Sequence, residues 1–132
     1  MNLILMTTPI LAFWQNNSVL AATCFLFVAA VGSLLRWGFQ LWGSSRQWLG
    51  TLSANLSSSF LLGLLLASDL HPTTVTILGG GFLGSLSTFS TVIMQTADKS
   101  SNGNRFTAYA YLLMTIGLGV LLAFIGLEIG NH

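Results

Sequence analysis

Four long apolar stretches, separated by short polar connections, set the rhythm of the chain. They cover about residues 19–41, 49–68, 74–96 and 108–129. Each reaches the roughly 20 apolar residues needed to cross a hydrocarbon core. Backbone groups in lipid must pair within their own segment, so the pattern predicts four helices. Polar positions inside the stretches are not scattered. Thr51, Asn55 and Ser58 recur at i, i+4 and i+7, which puts them on one helical face, and Thr107, Tyr111 and Thr115 recur at i, i+4 and i+8 on another. The third stretch clusters Ser87, Thr88, Ser90 and Thr91 around Phe89, just after Gly79, Gly80, Gly81 and Gly84. The expected fold is an all-α membrane protein of one domain, 19–130, with residues 1–18 as an interfacial lead-in.

Composition agrees with the pattern. Of 132 residues 53% are hydrophobic and 5% charged, against about 25% charged in a soluble domain, too few to clothe a water-facing surface. The lead-in lacks the Lys or Arg of a signal-peptide n-region, and Pro9 and Asn16–Asn17 interrupt its apolar run, so it is expected to remain uncleaved. Cys24 is the single cysteine, which excludes an intrachain disulfide and fits packing within the first span. The sequons at Asn16 and Asn55 carry no weight, the second lying within a span.

Charge placement predicts orientation. Arg36 and Arg46 fall around the first connection, Lys99 and Arg105 in the third, and none in the lead-in, the second connection or the tail. The positive-inside rule then puts connections one and three in the cytoplasm and both termini outside. Counting Arg36 as a structural helix-end residue still leaves a bias of three to zero. A multi-pass protein of the cell membrane, inserted one way round, is expected.

No Asp, Glu, Lys or His lies at mid-depth, which removes proton-relay carboxylates and metal-ligand clusters. Any single hydroxyl is favoured as a packing device, as are the GxxxG spacings Gly80–Gly84 and Gly126–Gly130. Asn55 differs, because its amide is costly to bury unpaired. The four glycines each weaken the third helix by about 1 kcal/mol relative to Ala. A break at residues 85–88 is expected, and it would expose backbone groups that only protein or a cavity can satisfy. A continuous helix with a glycine-lined contact surface is the alternative.

These residues resemble the Fluc/CrcB family of fluoride channels, over roughly residues 29–130. Gly84-Ser85-Leu86-Ser87-Thr88-Phe89-Ser90-Thr91 is similar to the family's GGxTTFSTF signature. Gly50-Thr51-Leu52-Ser53-Ala54-Asn55 matches GTxxxN, and Gly32-Ser33-Leu34-Leu35-Arg36-Trp37 is like GAxxRY/W. The resemblance implies an antiparallel dimer of four-helix subunits in the lipid bilayer, with two narrow fluoride pores. It also implies a structural sodium ion (Na+) held, without being transported, by the carbonyls of Gly84 and Ser87 in the broken third helix. Asn55 would contact the fluoride ion, Phe89 would present its ring edge, and Ser90, Thr91, Tyr111 and Thr115 would line the path. Fluoride's strong hydration would be replaced by amide and hydroxyl donors, and a neutral lining would avoid trapping the anion. On this view the glycines break the helix for a cation while the hydroxyls serve the anion.

Four positions depart from the family pattern. Val92 stands where a second phenylalanine is expected, Gln95 where a glutamate commonly follows, and Ser85 and Ser58 where glycines are expected. The missing ring edge combines with the orientation bias. An antiparallel homodimer needs a chain that inserts both ways, so pairing with an oppositely oriented paralogue is expected, with a homodimer as the alternative. A half-pore or non-conducting subunit would also fit. A four-helix multidrug exporter would need a membrane carboxylate, and the first span has none. No nucleophile–base pair points to catalysis, and no nucleic-acid partner is expected. Neutral hydroxyl faces would suit water or another small solute equally well; fluoride enters through the resemblance.

Overall fold

The computed structural model describes residues 17–42 and 46–132, so nearly all of the lead-in and residues 43–45 of the first connection lie outside the described residues. Helix α1 spans Ser18–Trp42 and α2 spans Gln47–Ala67. A helical run, α3, covers 72–86: it starts as Pro72–Val75, widens to π-type turns over Thr76–Leu83 and tightens again over Gly84–Leu86. After an interruption α4 runs Phe89–Ser101, and α5 runs Arg105–Gly130. Four helices are long and apolar enough to cross a membrane, with Pro72–Ser101 counted as the third, and the described residues contain no strand.

The outer surface is greasy: Leu26, Phe27, Leu34, Leu113 and Phe124 are all well exposed, as a lipid-facing bundle requires. The buried interior is small and partly polar. Val92 is fully enclosed with Leu52 and Tyr111, and Trp48, Leu56 and Leu112 pack around them. Thr51, Ser58 and Thr115 are buried as well.

Glycines set the spacing between helices. At Gly63 a methyl would overlap the Ala123 carbonyl, and at Gly126 it would overlap the Phe60 carbonyl, so α2 and α5 meet backbone to backbone. Gly130 continues the same contact against Ala67 and Leu64, which agrees with the expected Gly126–Gly130 surface. Gly32 is pressed onto the Phe82 carbonyl and Gly50 onto the Phe39 carbonyl, so two of the sequence motifs begin with a close helix approach. Gly80 and Gly84 do not form a comparable pair: Gly80 touches the Phe25 ring, and Gly84 meets only its own helix.

The third span is interrupted within 85–88, as expected, but the glycines do not make the break. Gly79, Gly80 and Gly81 sit in the continuous π-type segment, against Leu62, Leu65, Phe25 and Val28. The chain leaves helical geometry at Ser87 (φ −80°, ψ 158°) and Thr88 (φ −155°, ψ 120°). Contact surface and break are therefore both present, in successive parts of one span.

Candidate functional site

Thr88 is the centre of the break, and its backbone is held from another helix. The Thr88 N–H donates to Asn55 Oδ1 at 2.7 Å, and Asn55 Nδ2 donates to the Thr88 carbonyl at 3.0 Å. The asparagine amide thus replaces both partners that a regular helix would have supplied. This fixes the amide's orientation, because only one assignment of O and N satisfies both bonds. The Thr88 side chain starts the next helix, its Oγ1 accepting from the Thr91 N–H at 3.4 Å. The same oxygen lies 3.2 Å from Ser90 Oγ and 3.1 Å from Thr91 Oγ1, making a cluster of three hydroxyls at the start of α4.

On the other side of the break, Ser87 Oγ points to the Gly84 carbonyl at 3.5 Å. Arg36 Nη1 reaches the Ser87 carbonyl at 3.4 Å. The expectation that Arg36 marks a helix end is corrected here, since α1 continues to Trp42. Its long side chain spans to the break instead, joining α1 to α3.

Several buried hydroxyls are committed to their own helices. Ser58 donates to the Ala54 carbonyl and Thr115 to the Tyr111 carbonyl, each at 2.8 Å. For Ser58 this is the packing role favoured for a single hydroxyl. Thr115 also borders open space. It lines a groove of about 290 Å³ with Asn55, Ser59, Ser87, Thr88 and Phe89. Phe89 and Ser90 are exposed, and Phe89 forms the groove's aromatic edge.

Two further cavities, of about 400 Å³ each, lie toward the end of the bundle where α2 begins and α4 ends. One is lined by Trp37, Gln40, Gln47, Thr91 and Gln95, the other by Arg46, Gln47, Trp48, Gln95, Asp98 and Lys99. They share Gln47 and Gln95. Thr91 belongs to the inner cavity and Thr88 to the groove, so the Thr91–Thr88 hydroxyl contact joins the two.

Gln95 is itself held on both sides. Tyr111 donates its O–H to Gln95 Oε1 at 2.8 Å, and Gln95 Nε2 donates to Thr51 Oγ1 at 3.1 Å. Thr51 in turn faces the Gln47 carbonyl at 3.3 Å. Tyr111 is buried away from the Asn55 groove, with its ring edge-on to Trp48 at 5.9 Å.

Of the residues anticipated from sequence, the groove gathers Asn55, Ser87, Phe89 and Thr115, while Ser90 and Thr91 join it through Thr88. Gly84 and Arg36 attach at the break, and Tyr111 lies outside the groove, bonded to Gln95. Thr51 and Gln95 were legible as a polar face and a departure, without a role. Ser59, Gln47 and Lys99 were missed, although the i, i+4 spacing of Gln95 and Lys99 was a usable signal. The described residues contain no group of three or more His, Cys, Asp and Glu that could hold a metal ion.

Comparisons with known proteins converge. The family model described as CrcB-like protein, Camphor Resistance (CrcB), matches residues 23–127. A relative from Listeria monocytogenes serotype 4b (strain F2365), named fluoride-specific ion channel FluC 1, is 36% identical over 109 residues, covering 79% of this chain and 92% of its own. One from Moorella thermoacetica (strain ATCC 39073 / JCM 9320), named fluoride-specific ion channel FluC 2, is 44% identical over 102 residues, covering 72% and 84%. A third, from Dehalococcoides mccartyi (strain CBDB1), named fluoride-specific ion channel FluC, is 37% identical over 112 residues, covering 77% and 85%.

Proposed function

This chain belongs to the CrcB family, and from that premise we propose that it is a subunit of a fluoride channel, not an enzyme, which lets the anion leave the cytoplasm down its electrochemical gradient. The observation that carries the reading is the run of neutral polar groups through an apolar bundle: Gln47 and Gln95, then Thr91, Thr88 and Asn55. A desolvated fluoride needs strong donors in place of water, and hydroxyls and amides supply them without a fixed charge to trap it.

In this reading fluoride passes from the inner cavity to the hydroxyls of Thr91, Thr88 and Ser90, and then to the groove. One hydrogen of Asn55 Nδ2 is committed to the Thr88 carbonyl. The second is the donor offered to the anion. Phe89, which lines the groove, would offer the anion the electropositive edge of its ring. Thr115 would contribute after its hydroxyl swings from the Tyr111 carbonyl. Tyr111 and Thr51 together hold Gln95, whose second Nε2 hydrogen would be offered to the path.

Sodium fits the break. The Thr88 amide is turned to Asn55, so the Gly84 carbonyl keeps only the weak Ser87 hydroxyl contact. The Ser87 carbonyl accepts one long bond from Arg36 and retains a second lone pair. These two carbonyls would hold the ion, and a bound sodium would supply a fixed positive charge at mid-membrane that eases an anion's passage. Hard cations take more than two oxygen ligands, and a second subunit would supply the rest of the set.

The second subunit is also needed to wall the groove, which is open on a single chain. The charge bias favours a partner of opposite orientation, giving an antiparallel heterodimer with connections one and three of this chain in the cytoplasm. Val92 supports a single complete pore, because the side chain at the position of the missing ring is sealed among Leu52 and Tyr111 and offers no aromatic edge.

Fluoride efflux from sodium-containing liposomes tests the proposal. The chain alone is expected to be silent, and co-reconstitution with an oppositely oriented relative is expected to restore efflux. Efflux from the chain alone, with termini on both membrane faces, would overturn the heterodimer. Silence in both settings would overturn the channel.

A further inference from the structure

The cavity lined by Arg46, Trp48, Asp98 and Lys99 carries a feature that the pathway above does not use. Lys99 is one helical turn beyond Gln95, and its half-buried side chain folds over two aromatic rings. Its ammonium lies 5.4 Å from the centre of the Trp48 ring and 5.9 Å from that of Tyr111. Both rings belong to the cluster that encloses Val92, so the cation rests on a rigid base. A lysine placed only to anchor a helix end would snorkel outward to the interface. This one is held over Tyr111, which bonds to Gln95, and over Trp48, which packs edge-on against Tyr111.

Charge around the cavity favours anions. Arg46 and Lys99 both line it, and Asp98 is the one carboxylate among its lining residues. Asn102 closes the rim. Two cations against one exposed carboxylate, bounded by low-dielectric rings, give a positive mouth that opens onto Gln47 and Gln95. Charged clefts of this kind raise the local concentration of the counter-ion and speed its capture.

We propose that Lys99 is the anion-collecting residue of this mouth: fixed over Trp48 and Tyr111, it concentrates fluoride from the cytoplasm beside Gln95, from which the neutral path takes it. The inference deepens the fluoride-pathway reading and rests on it for the identity of the anion. The collecting charge stays outside the neutral run, so it attracts without holding the ion at depth. Cation–π contact fixes the ammonium without neutralising it, whereas a carboxylate partner would cancel its field.

Ionic strength separates collection from a structural role, because the Debye length falls from about 30 Å at 0.01 M to about 3 Å at 1 M. In liposomes of the composition that conducts, Lys99→Gln is expected to lower fluoride flux about two- to five-fold at ~0.01 M salt and hardly at all at ~1 M, with Lys99→Arg restoring it. A loss equal at both salt concentrations, or none at either, would overturn the proposal. A readout independent of flux uses Asn102→Cys in a Cys24→Ala background, labelled in detergent micelles. The ratio of labelling rates with anionic and cationic methanethiosulfonates should drop about two- to five-fold when Lys99→Gln is added. An unchanged ratio would overturn the positive mouth. A wild type that passes no fluoride, with this ratio still dependent on Lys99, would remove the channel reading while leaving the anion-collecting mouth in place.

Discussion

Asn55 shows how one side chain can be structural and functional in the same position. Replacing it with Ala leaves the half-buried Thr88 N–H and carbonyl without their Asn55 partners, at up to about 1–3 kcal/mol for each group that water does not reach. Asn55→Ala should therefore lower thermal stability in detergent as well as abolish flux. Asn55→Asp keeps an acceptor for the Thr88 amide but removes the donors and adds a repelling charge. It is expected to retain more of the stability than Ala while still losing flux, and equal unfolding temperatures for the two variants would count against the clamp. Gln95→Leu removes the acceptor of Tyr111 and the donor to Thr51, so a cost of about 1–3 kcal/mol and a fall in flux of at least about ten-fold are expected. Ser58→Ala is the contrast. Its hydroxyl bonds only to its own helix, so stability should change by less than about 1 kcal/mol and flux should stay near wild type. The sequence distinguished these cases only in part. Asn55 stood out by the cost of burying an amide, but Ser58 shared its face and looked equally polar. What separates them is where each hydrogen bond ends, which depends on residues far along the chain.

At the scale of elements, the third span has two neighbouring irregularities with different causes. Glycine content suggested a weak helix, and the break lies close to where it was expected. Its position at Ser87–Thr88 is nevertheless fixed by Asn55, 33 residues away, which captures the Thr88 backbone. No local pattern encodes that pairing. The glycines widen into π-type turns and let α1 pack close, a role that the contact-surface alternative had anticipated. Helix lengths were more legible, because burial in lipid imposes a long apolar run whatever the partners are. The α2–α5 contact gives a test at this scale. A leucine at Gly126 would drive its side chain into the Phe60 carbonyl, and the helices cannot separate without losing Gly63 against Ala123. Overpacking of this kind costs about 1–3 kcal/mol. Gly126→Leu is expected to lower the unfolding midpoint in denaturing detergent, whereas Gly117→Leu, with open space around its Cβ position, should leave it nearly unchanged. Equal shifts would mean that helix propensity, not close approach, governs this interface.

For the whole molecule, charge and shape make separate demands on a partner. The groove beside Asn55 is open, and Phe89 and Ser90 are exposed at its margin, so a single chain does not enclose a path. The basic residues cluster around connections one and three, which commits the chain to one orientation if the positive-inside rule governs it. A second copy inserted the same way cannot form an antiparallel pair. The rule also indicates how to relieve the constraint. Substituting Asp69→Arg in the second connection and Asn131→Arg in the tail adds positive charge to the opposite face without touching the groove. Glycosylation or fluorescent reporters fused to the C-terminus should then detect it on both sides of the membrane, where the wild-type chain gives one. If orientation alone prevents self-pairing, this variant should form dimers and pass fluoride unaided. If it inserts both ways and dimerises but stays silent, the deficit lies in the pore itself. On the proposed heterodimer reading Val92 is the first candidate for that deficit, because a buried valine offers no ring edge.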